Sequence, residues 1–145
     1  MDRALNYLSL ARKAGLAELG EEPVGAAARE VHARLVIVAS DASDHTWRRA
    51  KSFVAGTEQQ CIRVPFTKDE VGMAIGRTSL AIAAITDAAL GLAFVKALPE
   101  PERYREAAQV LEAKAKKIGQ RRAEAKAHDR NRRTGRVRSA AKKNG

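Results

Sequence analysis

Cysteine is almost absent from this chain: Cys61 stands alone among 145 residues. A single thiol excludes an internal disulfide and any zinc site built from cysteines, and its place in a strand-like run reads as a small buried apolar residue. Long hydrophobic runs are missing too. The most extended apolar region, Leu80 to Val95, is interrupted by Thr86 and Asp87 and is too short to cross a bilayer. The start, MDRALNYL, places an acid at position 2 and no apolar stretch, so neither a secretory signal nor a membrane partner is expected, and the cytoplasm is the expected compartment. Reactive groups do not converge. His32, His45 and His128 fall on a helix, a helix start and the tail, and no glycine-rich phosphate loop occurs, since Gly72-Met73-Ala74-Ile75-Gly76 reads as a helix with small residues. The crowded Asp41-Ala42-Ser43-Asp44-His45 places its side chains in diverging directions, as consecutive residues at a helix start do, so capping accounts for it better than a nucleophile with its base. The expectation is a chain that is not an enzyme and needs no cofactor or metal.

What is abundant is positive charge, and it is unevenly placed. Residues 1–98 carry 12 Lys and Arg against 11 Asp and Glu, whereas residues 99–145 carry 15 against 6. A near-neutral front therefore precedes a strongly cationic back third. Such a density of Lys and Arg calls for a polyanion, and nucleic acid is the usual one, because each neutralised phosphate releases condensed counterions.

The front has the patterning of a single α/β domain over residues 1–98. Asp2 caps a first helix that Gly15 ends, and Glu21-Glu22-Pro23 suits the start of a second, reaching about His32. Leu35 to Ala39, Cys61 to Val64 and Leu80 to Ile85 are short apolar runs of the kind buried on both faces of a sheet, and a short strand near Leu16–Leu19 makes four. Ser40 to Ser43 caps a third helix, Thr67 and Glu70 form a capping box for a fourth ending at Gly76, and Thr86-Asp87 caps a fifth reaching Leu98. Alternating helices and doubly buried strands predict a three-layer α/β/α sandwich around a small mixed four-stranded sheet. Much of the apolar content is alanine, so the interior is expected to be thin between closely packed layers.

Leu98-Pro99-Glu100-Pro101 marks the predicted boundary to a basic extension, residues 99–145. Tyr104, Ala108, Leu111, Ala115 and Ile118 fall at helical spacing and form a seam able to dock on the domain. Beyond Gly119, arginines such as Arg121, Arg122, Arg132 and Arg133 dominate, and the expectation is disorder until a partner binds.

Three spans in order carry a family resemblance: Leu8 to Gly15 with Gly20-Glu21-Glu22, Leu35 to Ser43, and Val71 to Arg77 leading into Ala81 to Thr86. The chain resembles the superfamily of ribosomal proteins L-seven-Ae, L-thirty-e and S-twelve-e and of Gadd-forty-five, in its small bacterial members. The resemblance covers roughly residues 3–98. It implies the same sandwich fold, RNA as partner, the ribosome or another structured RNA as the setting, and a kink-turn as the typical ligand. The implied contact residues are Gly20, Glu21 and Glu22 at the second helix start, Asp41 and Ser43 in the loop after the first long strand, and Gly76, Arg77, Thr78 and Ser79 before the last strand. Family members that bind kink-turns carry Asn, Glu and then Lys three residues on. The corresponding positions read as Glu21, Glu22 and Gly25, with Arg29 the nearest cation one turn further.

The residues support these sites independently. A helix N-terminus presents free N–H groups, a carboxylate there accepts from guanine edges, and Gly-Arg-Thr-Ser offers a guanidinium and two hydroxyls to a phosphate or ribose. Plain helix capping is the competing account of Asp41 and Ser43, and dipole compensation that of Glu21 and Glu22. Capping does not call for an arginine at position 77. The predicted function is non-catalytic binding of structured RNA by a monomer, with the tail adding phosphate contacts. The alternatives are a protein-interaction module and a substrate-recognition domain like those at the front of some RNA methyltransferases.

Overall fold

A computed structural model describes the backbone of residues 2–144 and the side chains of residues 2–130. In order along the chain the elements are α1 (Arg3–Lys13), β1 (Ala17–Leu19), α2 (Glu21–Arg29), β2 (Leu35–Val38), α3 (Asp44–Val54), β3 (Gln60–Arg63), α4 (Lys68–Ala74), β4 (Ile82–Ile85), α5 (Ala88–Lys96), a 3-10 turn (Pro101–Tyr104) and α6 (Arg105–Asn144). Local chemistry sets most of these limits. The Asp2, Ser43, Thr67 and Asp87 side chains accept from the first-turn N–H groups of α1, α3, α4 and α5, and Glu70 closes a reciprocal capping box with Thr67. Gly15, just past α1, has φ +75°, the left-handed turn that glycine adopts without steric cost. α2 stops earlier than its alanine content suggests, at Arg29, because Val31 turns left-handed with φ +59°.

The four strands form one mixed sheet in the order β1-β4-β2-β3. β4 runs antiparallel to both of its neighbours, pairing Leu19 with Ala83 on one side and Val38 with Ile82 on the other, while β2 and β3 are parallel. Every residue of β2 and β4 is buried, so helices cover both faces of the sheet centre. α2 packs with α3, and α1 packs with α4 and α5. The core is aliphatic, with Leu8, Val24, Leu35, Val36, Ile85, Phe94 and Val95 excluded from solvent, and Gln59 is its one buried polar side chain among the described residues. That amide is satisfied: its Oε1 accepts from the Ala33 N–H and its Nε2 donates to the Ala28 carbonyl.

Two expectations about the extension change. The compact unit runs Met1–Glu112 rather than ending at Leu98, with Ala113–Gly145 as the second unit. Pro99 and Pro101 make a turn without ending the domain, because Ala107 and Leu111 return to the core and Tyr104 and Ala108 pack beside them. Gly91 of α5 lies against this packing, and a Cβ there would meet Leu35 and Leu111 at ordinary contact distance. Gly119 is an interior position of α6 rather than its end. A glycine costs about 1 kcal/mol relative to alanine in a helix, and the Ala, Lys, Glu and Arg around it are strong helix formers. The second part of the predicted disordered tail, from position 131 on, lies outside the described side chains.

Because Leu111 belongs to the core, Leu111→Ala should cost roughly 2–4 kcal/mol in urea denaturation. A chain ended after Leu98 should unfold far more easily than one ended after Lys117. Equal midpoints for these two truncated chains would show that the start of α6 adds nothing to the domain.

Candidate nucleic-acid interface

The reversed direction of β4 brings distant parts of the chain to one edge of the sheet. β1, β2 and β3 end there and β4 begins there, so the segments after Leu19, Val38 and Arg63 and the segment before Ile82 are neighbours. Backbone hydrogen bonds tie them together. Gly20 N–H donates to the Ile82 carbonyl at 3.0 Å, Ala39 N–H to Ala81 at 2.9 Å, Ser40 N–H to Phe66 at 2.8 Å and Leu80 N–H to Lys68 at 2.9 Å. The three stretches that the resemblance singled out, around positions 20–22, 41–43 and 76–79, thus lie along this one edge.

Their side chains are not equally free. Gly20 begins α2 with φ +97°, a conformation that excludes other residues at low cost, and leaves the helix N-terminus without a side-chain cap. Glu21 is ion-paired with Arg49 of α3, whose guanidinium also lies 5.5 Å from the centre of the Phe53 ring. Glu22 is exposed and makes no hydrogen bond or ion pair among the described residues. Asp41 does not cap α3: its Oδ1 accepts from the Lys68 N–H at 2.8 Å, fastening the β2 loop to the start of α4. Ser43 is the α3 cap, accepting from the Thr46 N–H at 3.1 Å. Both residues therefore have structural partners, and what the loop leaves open is its backbone shape.

The loop before β4 is different. Arg77, Thr78 and Ser79 are exposed, and their side chains hydrogen-bond to nothing among the described residues. The loop's position is held by glycine. Gly76 turns with φ +74°, and Arg77 N–H donates to the Gly72 carbonyl at 2.8 Å. A Cβ on Gly72 would lie 2.7 Å from both the Cα and the N of Ser79, a distance no packed structure tolerates. Gly72 thus lets the loop lie directly on α4, and Met73 beside it is 75% exposed.

Two expected positions fall elsewhere. Gly25 is buried against the Phe53 ring, 3.1 Å from where a Cβ would sit, so it cannot present a lysine outward; Ala26 is the exposed position of that turn. Arg29 is at the far end of α2, roughly 12 Å along the axis from Glu21. It lines a groove of about 540 Å³ between α2 and α3 with Arg49 and Phe53. Arg121 and Arg122 are exposed in the second unit, and the side chains of Arg132 and Arg133 lie outside the described residues.

Burial pushes the Cys61 thiol up to about 12, so it is protonated and a poor nucleophile near neutral pH. Among the described residues no three His, Cys, Asp or Glu side chains are placed to hold a metal ion, and no helix is long and apolar enough to cross a membrane. Sequence reasoning missed Arg49, Asp41's bond to α4 and the role of Gly72. Only the four-residue spacing of Arg49 and Phe53 was visible in advance, because the other partners are brought together by the fold.

The chain is 35% identical over 75 residues to the RNA-binding protein YlxQ of Enterococcus faecium, an overlap covering 52% of this chain and 72% of that protein. Among solved structures it is similar to a protein of unknown function from Bacillus halodurans C, with TM-score 0.59, 24% identity, and coverage of 77% of this chain and 99% of the other. It is also similar to the Giardia lamblia 15.5kD RNA binding protein, with TM-score 0.57, 18% identity, and coverage of 70% and 86%. These two likenesses establish the fold. No family model matches the chain.

Gly72→Ala should displace the 76–79 loop and cost about 1–3 kcal/mol, as overpacking typically does. Limited trypsin digestion should then cut after Arg77 faster than in the parent chain. Unchanged stability together with unchanged cleavage would mean that the close approach of loop and helix is not required.

Proposed function

The chain belongs to the family of the RNA-binding protein YlxQ, and from that premise we propose that it binds structured RNA without catalysing a reaction on it. The observation that carries this reading is the Arg77-Thr78-Ser79 loop, whose side chains have no partner among the described residues, held beside the N-terminus of α2, which has no side-chain cap, on one sheet edge. Together they offer a guanidinium, two hydroxyls, backbone donors and the Glu22 carboxylate. That is a mixed set suited to phosphates, ribose 2′-hydroxyls and base edges of a bent or looped RNA. Cytoplasmic RNA, ribosomal or otherwise folded, is the substrate class this reading favours.

Kink-turn recognition is the narrower form of the proposal. Against strong affinity stands the absence of a lysine on the outer face of α2, where Ala26 of the second turn is exposed instead. A missing charge-assisted phosphate contact is worth about 1.5–3 kcal/mol, or ten- to a hundredfold in affinity. The tail offsets this in our reading. Residues 113–145 carry thirteen Lys and Arg against two Asp and Glu, and such a segment adds sequence-independent, salt-sensitive binding.

Filter binding against an RNA with a bulged or kinked internal loop and against a plain duplex separates the two parts. Arg77→Ala should lower affinity for the folded RNA about tenfold and for the duplex much less. Ala26→Lys should raise affinity for the kinked RNA several-fold. Ending the chain after Lys117 should weaken both RNAs and, if the removed segment meets about five phosphates, reduce the slope of log affinity against log salt by roughly 3.5–4.5. Equal losses on both RNAs for Arg77→Ala would remove the loop as a reader, and an unchanged slope would remove the tail as a contact.

A further inference from the structure

α3 carries the positive excess of residues 1–98. That span holds twelve Lys and Arg and eleven Asp and Glu, and α3 takes three of the first and one of the second, so the remainder is net negative. The cations are Arg48, Arg49 and Lys51. The one acid, Asp44, lies in the first turn, where it meets the positive end of the helix dipole. α3 packs on β2 and β3 through an inner face on which Ala50 is buried. Its exposed positions are Asp44, His45, Arg48, Arg49, Lys51 and Ser52, with no apolar residue among them.

The three cations are not equally committed. Arg49 is ion-paired with Glu21 and lies over the Phe53 ring. Arg48 is exposed and makes no hydrogen bond or ion pair among the described residues. The Lys51 ammonium lies 5.3 Å from the centre of the Trp47 ring, and no carboxylate pairs with it among the described residues. Lys51 is itself exposed, so this contact leaves its charge open to solvent. Trp47 and Phe53 are half-buried, each with a cation over its ring, and what the outer face presents is charge rather than apolar surface. The start of α3 is tied to the contact edge, since Ser43 caps it and Glu21 pairs with Arg49. From there the helix leads away, which places Arg48 and Lys51 roughly 6 Å and 10 Å along its axis from Asp44.

We infer that the outer face of α3 holds the phosphate backbone of a helical stem flanking the looped RNA at the edge, with Arg48 and Lys51 as the contacting cations. A protein partner fits this face less well, because the centre of a protein interface is depleted of charge and enriched in aromatic contact. Interfaces with nucleic acid are polar and strongly positive, and Lys and Arg there meet phosphate without reading sequence. A stem that leaves the edge along α3 passes over both cations. The inference rests on the RNA-binding reading and adds to it which part of the RNA each surface takes: the loop at the edge, the stem on α3. The contact residues that the resemblance implies include none within this helix.

Filter binding compares the full chain with two doubly substituted chains, Arg48→Gln with Lys51→Gln and, as control, Arg12→Gln with Lys13→Gln. The control removes the same charge from exposed positions at the end of α1. All four side chains are exposed, so both variants should fold as the parent does. Two RNAs carry the same kinked internal loop, one with stems longer than a helical turn and one with stems cut to a few base pairs. The α3 variant should bind the long-stem RNA about tenfold more weakly, with the slope of log affinity against log salt lowered by about two, and should bind the short-stem RNA as the parent does. The control should match the parent on both. Undiminished affinity of the α3 variant for the long-stem RNA, an equal loss in the control, or an equal loss on both RNAs would overturn the stem contact and leave the RNA reading standing. A poly-glutamate peptide bound by the parent and lost by the α3 variant, with RNA affinities unchanged, would give the face to an acidic protein instead. A parent chain that binds neither RNA would remove the RNA reading itself, and the stem contact with it.

Discussion

Among the described residues β4 is the only strand whose direction opposes both of its neighbours, and the rest of the site depends on that reversal. Had it run parallel to β2, the Gly76–Leu80 loop would enter the sheet at the opposite edge from the start of α2. Because it runs antiparallel, the Gly20, Ala39 and Leu80 amides find partners in segments far away in sequence, and three loops become one surface. The two central strands are buried at every position, so their ladders lie where water cannot compete for them. Rigid backbone below thus allows a polar, unsatisfied surface above.

That surface divides labour with the remainder of the chain. Residues 1–98 are nearly neutral and have no long-range preference for a polyanion, whereas the tail is densely cationic. Phosphate contacts supply affinity and position, and contacts to bases or to a particular fold supply discrimination. Within the body, several polar groups at the edge are already committed: Glu21 to Arg49, Asp41 to the Lys68 amide, Ser43 to the Thr46 amide. Exposed pairs such as Glu21 with Arg49 add little stability, so their effect is to orient side chains. The side chains left over, those of Glu22, Arg77, Thr78 and Ser79, make no hydrogen bond or ion pair among the described residues.

The elements were readable from sequence because their causes are local. Asp2, Thr67 and Asp87 cap the helices they precede, Glu70 closes the capping box from inside α4, and the doubly apolar runs around Val36 and Ala83 are the buried strands. The sandwich and its mixed four-stranded sheet followed from that pattern. What was hidden depends on contacts between elements. Pro99 and Pro101 look like the end of a domain, and only the packing of Leu111 beside Gly91 shows that the chain returns. Asp41 sits where an α3 cap belongs, yet it bonds to α4, because the β2 loop passes beside that helix start. Gly25 corresponds in sequence to the lysine of family members that bind kink-turns, yet Phe53 occupies the space beside it. Gly72 looked like an ordinary small helical residue until the loop lying on it was visible.

The central claim is that a single sheet edge receives RNA. Hydrogen–deuterium exchange of the full chain with and without a structured RNA tests it amide by amide. The account predicts slowed exchange in positions 20–22, 40–43 and 77–80 together, beyond any change in the tail. Slowed exchange confined to the tail, or appearing on α1 and α5 while those three loops are unaffected, would contradict it.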